Sequence, residues 1–298
     1  MPVPIRPLHL AVALDRSGTH EAESCVRAVR LAERGRFDFV TLGGGGGGGG
    51  DALGVLARVA PATERIGLVA AVAITRAEPF RVSCAVAALD RVSRGRAGWT
   101  AGPAVPAAGE EAWREADAVA DGVARVWDGR EDGAGFHDAA DGPSAVPPPP
   151  QGHPVTVVDA TAPAARDTAA RHADVVLLRA ERAHDPAVFR AGADELREAA
   201  HVRGAGGRRL VVLASVPVAL HAAVDAVALA DQVGLWYTSG AADGFHFRPE
   251  DPERDLPLLV DGTAAVLQHR GLLRRFYPGA TLREHLGLPR PVGRGAPA

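Results

Sequence analysis

Residues 66–101 read IGLVAAVAITRAEPFRVSCAVAALDRVSRGRAGWTA, and the two changes of period inside that stretch decide the fold. Ile66 to Ile74 is a short apolar run bounded by polar residues, the pattern of a strand buried on both faces. Pro79 to Val92 switches to helical spacing, and Pro79 suits a first helical turn, where its missing N–H is not needed. Arg96 to Ala101 returns to a short strand. Strand, helix and strand in succession make the crossover that joins parallel neighbours in a sheet.

Outward from this unit the alternation continues in both directions. On the N-terminal side it predicts a strand over Leu8 to Leu14 and a helix over Glu21 to Arg34, whose stripe is Ala22, Cys25, Val26, Val29 and Ala32. A strand over Phe37 to Leu42 and a helix over Ala52 to Ala60 follow. On the C-terminal side come a helix over Glu110 to Trp127, a strand over Val155 to Val158 and a helix over Pro163 to His172. The pattern goes on with strand Val175 to Leu178, helix Pro186 to Val202, strand Leu210 to Val216 and helix Ala222 to Leu235. A strand over Gly244 to Phe247 and a helix over Leu256 to Leu273 end it. Some eight strand–helix repeats favour an α/β fold of the closed (β/α)8 TIM-barrel type, with an open doubly wound sheet as the alternative. One barrel domain over residues 1–288 and a flexible tail over 289–298 are expected.

The 298 residues carry 33 basic and 36 acidic side chains, a net charge of −3, which argues against a phosphate-neutralising nucleic-acid surface. No apolar run reaches the roughly 18 residues of a membrane span, and the N-terminus lacks a signal-peptide plan. Cys25 and Cys84 are too few and too far apart for a disulfide scaffold or a zinc site, so a cytoplasmic setting is expected. The chain has no lysine, which removes Schiff-base chemistry. Gly43 to Gly50 is an unbroken glycine tract; without interrupting residues or a lysine it does not read as a phosphate loop. Gly129 to Pro150 reads as a glycine- and proline-rich surface linker.

Six stretches in one order carry a family resemblance. They are LAERGRFDFVTL (31–42), APATERIGLVAAVAITRAEPF (60–80), LDRVSRGRAGW (89–99), GPSAVPPPPQGHPVTVVDATAPAARDTAARHADVV (142–176), and AADGF (241–245) with LQHRGLLRRFYPGATLREHLGLPRP (267–291). Together they resemble the nitrilotriacetate monooxygenase group of the bacterial luciferase-like flavin monooxygenases. The resemblance implies a barrel whose C-terminal loops hold reduced FMN, or a deazaflavin in some relatives. A flavin reductase would supply the cofactor, and a small organic molecule would be the substrate. It also implies a homo-oligomer or a pairing with a homologue.

Set against that family the flavin positions are eroded. They fall on Gly44 in the glycine tract, Ala71 and Ala73 in the third strand, Trp99 and Thr100 in the fourth, and Asp159, Thr161 and Ala162 after the fifth. Where the family carries Gln-Ala-Gly-x-Ser-x-x-Gly for the phosphate, this chain has Val158-Asp159-Ala160-Thr161-Ala162-Pro163-Ala164-Ala165. Segments that cover substrate in the family are short around Gly102 to Ala112 and after Pro217. Lost hydrogen bonds to charged groups, each about 1.5–3 kcal/mol, would remove much of the affinity for FMN, and Asp159 would repel its phosphate. Weak or absent FMN binding is therefore expected.

The remaining groups leave the catalytic residues unassigned. Thr41, Trp99, Thr100, Asp159 and Thr161 are placed at strand ends, where barrel chemistry sits, with Trp99 reading equally as barrel core or as a stacking wall. Thr161 reads first as a helix cap, Asp159 as a carboxylate near a helix start, and Arg166 as a solvated arginine or an anion contact. His137 and His153 read as surface imidazoles, with no metal motif among the eleven histidines. His246 faces either the barrel interior or the helices, and Ser17 or Thr19 beside His20 reads as a cap. Three functions stay open: a two-component flavin monooxygenase, a non-catalytic partner subunit, and a cofactor-independent enzyme with Asp159 or a histidine as base.

Overall fold

The computed structural model describes residues 7–14, 22–43, 51–75, 77–103, 108–128, 148–180, 185–203 and 209–291. Its eight strands are β1 (His9–Ala13), β2 (Phe39–Leu42), β3 (Gly67–Ala73), β4 (Ala97–Gly102), β5 (Val155–Asp159), β6 (Val175–Arg179), β7 (Val211–Val218) and β8 (Gly244–Pro249). All pair in parallel with their sequence neighbours, and β8 closes on β1, so the open sheet is excluded. Between them run α1 (Ala22–Arg34), α2 (Ala52–Val59), α3 (Pro79–Val92), α4 (Glu110–Trp127), α5 (Arg166–His172), α6 (Pro186–Arg203) and α7 (Ala223–Thr238). After β8 come α8 (Pro252–Leu258), a π turn over Leu259–Ala264, α9 (Ala265–His269) and α10 (Leu282–His285).

Strand alternation sorts the apolar side chains into two layers. Ala11, Phe39, Val69, Val157, Leu177 and Leu213 face inward and fill the barrel. Leu10, Val40, Leu68, Trp99, Val158 and Val212 face outward against helix residues such as Val29, Leu56 and Val86. The C-terminal segment completes the inner layer: Leu282, Leu286 and Leu288 join the barrel filling from below. Gly67 makes that close approach workable, because a Cβ there would stand 2.6 Å from Leu282 Cδ1.

The N-terminal ends of the strands are held by a repeated device. Asp38, Asp174 and Asp243 each precede a strand and are buried. Each accepts an N–H from the neighbouring strand: Leu10 N at 2.9 Å, Thr156 N at 3.0 Å and Val212 N at 2.9 Å. Each also receives a guanidinium, from Arg274, Arg283 and Arg197 respectively, at 2.8 Å. For Asp38 burial alone would raise the pKa, but the charges and hydrogen bonds of Arg274 and His9 outweigh it and bring it to about 2.

Several expected boundaries move by a few residues, those of the last helix furthest. The last helix begins at Pro252 rather than Leu256 and ends at His269 after its π turn. Helix α10 had no expectation; its Thr281/Glu284 capping box lies in a stretch too short for a period to register. The linker expected from Gly129 falls outside the described residues up to 147, as do Ser17, Thr19, His20, His137 and the tail from 292.

Replacing Arg274 by Ala leaves the Asp38 carboxylate buried beside His9 with one partner fewer. We expect a loss of about 3–5 kcal/mol at neutral pH, read by urea denaturation. A carboxylate whose pKa is lowered on folding contributes stability above its ordinary value and loses it as pH falls toward about 2. The acid-unfolding midpoint of Arg274→Ala should accordingly rise; an unchanged midpoint would show that the pair does not hold the fold.

Candidate active site

The C-terminal ends of the strands form a mouth with two unlike walls. Along β1, β3 and β4 the inward positions near the mouth are Ala13, Ala71, Ala73 and Thr100. Ala71 and Thr100 are half-buried and Ala73 is exposed. Gly43 closes this side after β2 with φ +88°, and a Cβ there would press on Ala52 and Ala71. The wall is small and nearly without hydrogen-bonding side chains.

Across the mouth the inward positions of β5 to β8 are polar. His246 lies beneath the surface with both ring nitrogens engaged: Nε2 is 3.0 Å from Thr41 Oγ1 and Nδ1 is 3.0 Å from Ser215 Oγ. One nitrogen donates and the other accepts, which suits a neutral imidazole. Burial, and then the charges of Arg248 and Arg179 against that of Asp159, lower its pKa to about 3. Above this floor Asp159 Oδ1 accepts Thr161 N at 3.1 Å and Thr161 Oγ1 at 2.6 Å. Asp159 Oδ2 accepts Arg179 Nε at 3.3 Å, and Thr161 Oγ1 in turn accepts Arg179 N at 2.9 Å.

Several expected site residues fall elsewhere. Trp99 does not line the mouth: 1% exposed, it sits between sheet and helices, donates to Thr156 Oγ1 at 3.1 Å and meets Trp127 edge-on. Val158 also faces the helices, so the missing glutamine there removes nothing from the mouth. Thr161 caps no helix, since the 3₁₀ turn Pro163–Ala165 starts from Ala162 without a side-chain cap. Arg166 is exposed and pairs with Glu195 at 3.4 Å. His153 is half-buried rather than superficial, bonded to Asp128 at 2.9 Å and packed against Trp127. Gly44 lies outside the described residues. Among the described residues no group of three or more metal-ligating side chains comes together.

Arg179 and Arg248 were not expected. The apolar criterion ended their strands at Leu178 and Phe247, one and two residues short respectively. Continuing the alternation Val175, Leu177 and Gly244, His246 by one step finds both arginines on the inside.

The turn after β5 has most of its N–H groups engaged within the chain. Ala160 N and Ala165 N are bonded to Leu177 O and Ala162 O. Thr161 N goes to Asp159, Arg166 N goes to Pro163 O, and Pro163 has no N–H. Ala162, Ala164 and Ala165 offer no hydroxyl.

Comparison with known proteins places this geometry. The profile of the luciferase-like monooxygenases matches residues 8–272. Nitrilotriacetate monooxygenase component A of Aminobacter aminovorans is 24% identical over 403 residues, covering 88% of this chain and 89% of the relative. That alignment is longer than the 298-residue chain, so the relative carries segments absent here. One of the pristinamycin IIA synthase subunits of Streptomyces pristinaespiralis is 29% identical over 320 residues, covering 97% of this chain and 98% of the relative. An EDTA monooxygenase from Chelativorans sp. BNC1 has the same fold, with a TM-score of 0.78 at 20% identity over 96% of this chain and 99% of that one.

His246 should remain neutral across the physiological range, its ring signals in histidine-labelled NMR unmoved from about pH 8 to about pH 5. Because the folded value is lowered, its contribution to stability is complete above about pH 6.5. That contribution is lost as pH falls toward about 3, at up to about 1.4 kcal/mol per pH unit. His246→Asn should flatten this slope in urea titrations; a ring that titrates near 6.5 in the folded protein would contradict the buried, doubly bonded imidazole.

Proposed function

The chain belongs to the luciferase-like monooxygenase family, and on that premise we propose an oxidoreductase acting on a small organic molecule at the barrel mouth. Reduced FMN, delivered by a separate flavin reductase, is held weakly. Reduced flavin supplies the electrons for oxygen activation in such chemistry. The observation that carries the reading is the polar wall of Asp159, Arg179 and His246 at the end of the barrel where catalytic groups gather, facing an alanine wall that suits a flat apolar body. The turn after β5 supplies the reason for weak binding, since its N–H groups are largely engaged within the chain.

The protein's own groups have limited parts in this reading. His246, with its depressed pKa, is a positioning residue and not a proton donor near neutrality. Both oxygens of Asp159 are engaged by Thr161 and Arg179. The cofactor-independent reading therefore has no disengaged base in Asp159 or His246.

A second reading, that of a partner subunit, is favoured by one comparison. The chain matches a relative named as one subunit of a synthase along 98% of that relative's length, whereas the longer nitrilotriacetate relative has segments missing here. In that case the chain would associate with a longer homologue that holds the flavin.

Isothermal titration of the purified protein with oxidised and reduced FMN should give a dissociation constant weaker than about 1 µM, equivalent to about −8 kcal/mol. Ala162→Ser restores a hydroxyl at the start of the 3₁₀ turn and should tighten FMN by roughly tenfold. A submicromolar constant in the unaltered protein would overturn the eroded site. Gel filtration with a longer family member from the same genome separates the readings, a stable complex supporting the partner subunit.

A further inference from the structure

Asp159 and Arg179 end β5 and β6, and Arg248 stands one residue before the end of β8, all on inward positions. The strand register sets Arg179 beside Ser215 and His246, and Arg248 beside Pro217, one inward layer nearer the solvent. Among the described residues two cations thus face one anion on this wall. Arg179 gives its Nε to Asp159 and remains 49% exposed, so much of its side chain is open to solvent. Arg248 is different: its Nε is buried and has no hydrogen-bond partner among the described residues. Burial and the charge of Arg179 also lower the Arg248 pKa, against the pull of Asp159. A buried guanidinium N–H without an acceptor is costly, and buried polar groups are nearly always paired.

We infer that Arg179 and Arg248 form a seat for an anionic oxygen group, a carboxylate or a phosphate monoester, on a small organic ligand whose uncharged body lies toward Ala71 and Ala73. The fork of a guanidinium matches two oxygens at once, and the unpartnered Nε of Arg248 gains the acceptor it lacks. Asp159 holds Arg179 in place through a single contact of 3.3 Å and competes with the incoming anion for it. The inference deepens the reading of the mouth as a ligand site and rests on that reading, but not on any flavin chemistry.

The test is isothermal titration of the full-length protein at low ionic strength with two matched pairs, FMN against riboflavin and benzoate against benzamide. The anionic member of at least one pair should bind roughly tenfold tighter or more, and added salt should shrink the difference. Arg248→Met and Arg179→Gln should each abolish the preference, and Asp159→Asn should strengthen it. Discrimination confined to the FMN pair identifies a phosphate as the occupant. Discrimination confined to the benzoate pair identifies a substrate carboxylate, and either supports the seat. Equal binding within both pairs, no binding of any probe, or a preference that survives both arginine replacements would overturn it. Circular dichroism checks folding; should Arg248→Met fail to fold, the half-exposed Arg179→Gln carries the test alone. Loss of turnover with anion binding intact would count against the monooxygenase reading and leave the seat standing.

Discussion

Everything at the mouth depends on buried carboxylates at the opposite end of the barrel. In a strand, successive side chains face opposite ways, so a slip of one residue would turn every inward group outward. Asp174 sits immediately before β6 and ties Thr156 N, which fixes Val175, Leu177 and Arg179 on the inside. Asp243 does the same for β8 through Val212 N, fixing Gly244, His246 and Arg248. Buried carboxylates hold register well because their geometry is demanding. Each must keep its N–H and its guanidinium together, since loss of either leaves charge stranded away from water.

The two faces of the barrel consequently treat charge differently. At the N-terminal face the carboxylates of Asp38, Asp174 and Asp243 are each matched by an arginine, and Arg283 is further held by His153 O and Pro289 O. That face is closed by Leu282, Leu286 and Leu288, so its ion pairs lie against apolar packing and little water reaches them. At the mouth the balance among the described residues is incomplete: Asp159 answers Arg179, while no described group accepts the buried N–H of Arg248. A scaffold held rigid at one end can tolerate such a group at the other, because the strain is confined to strand ends that the core does not need.

The architecture was legible in the sequence because it rests on period, and period survives substitution. The stretch 66–101 displays strand, helix and strand, and both Pro79–Val92 and Glu110–Trp127 form helices with the expected limits. The site was legible only in part. Asp159 closes and Thr161 follows an apolar strand, while Ala71 and Thr100 are inward positions two residues before their strands end. Trp99 was misplaced because a strand's direction of facing depends on its register, which a short run such as Arg96 to Ala101 does not declare. Arg179 and Arg248 were overlooked for a related reason. A charged residue ends an apolar run to the eye, yet the backbone continues as strand wherever a neighbouring strand still offers hydrogen bonds.

The turn after β5 limits what the backbone of this barrel offers an anion. A backbone N–H that closes a turn cannot also be offered to an anion, and the run Ala162-Pro163-Ala164-Ala165 closes upon itself in a 3₁₀ turn. Anion recognition in such a molecule has to come from side chains. With no lysine in the chain, arginine is the permanently charged cation available to it. Arginine needs a rigid base to aim its fork, and a strand end supplies one better than a loop. Arg179 and Arg248 stand on neighbours of the same strand, β7, in a register fixed from below by Asp174 and Asp243. The same clamps that close the barrel thus decide where positive charge meets the ligand.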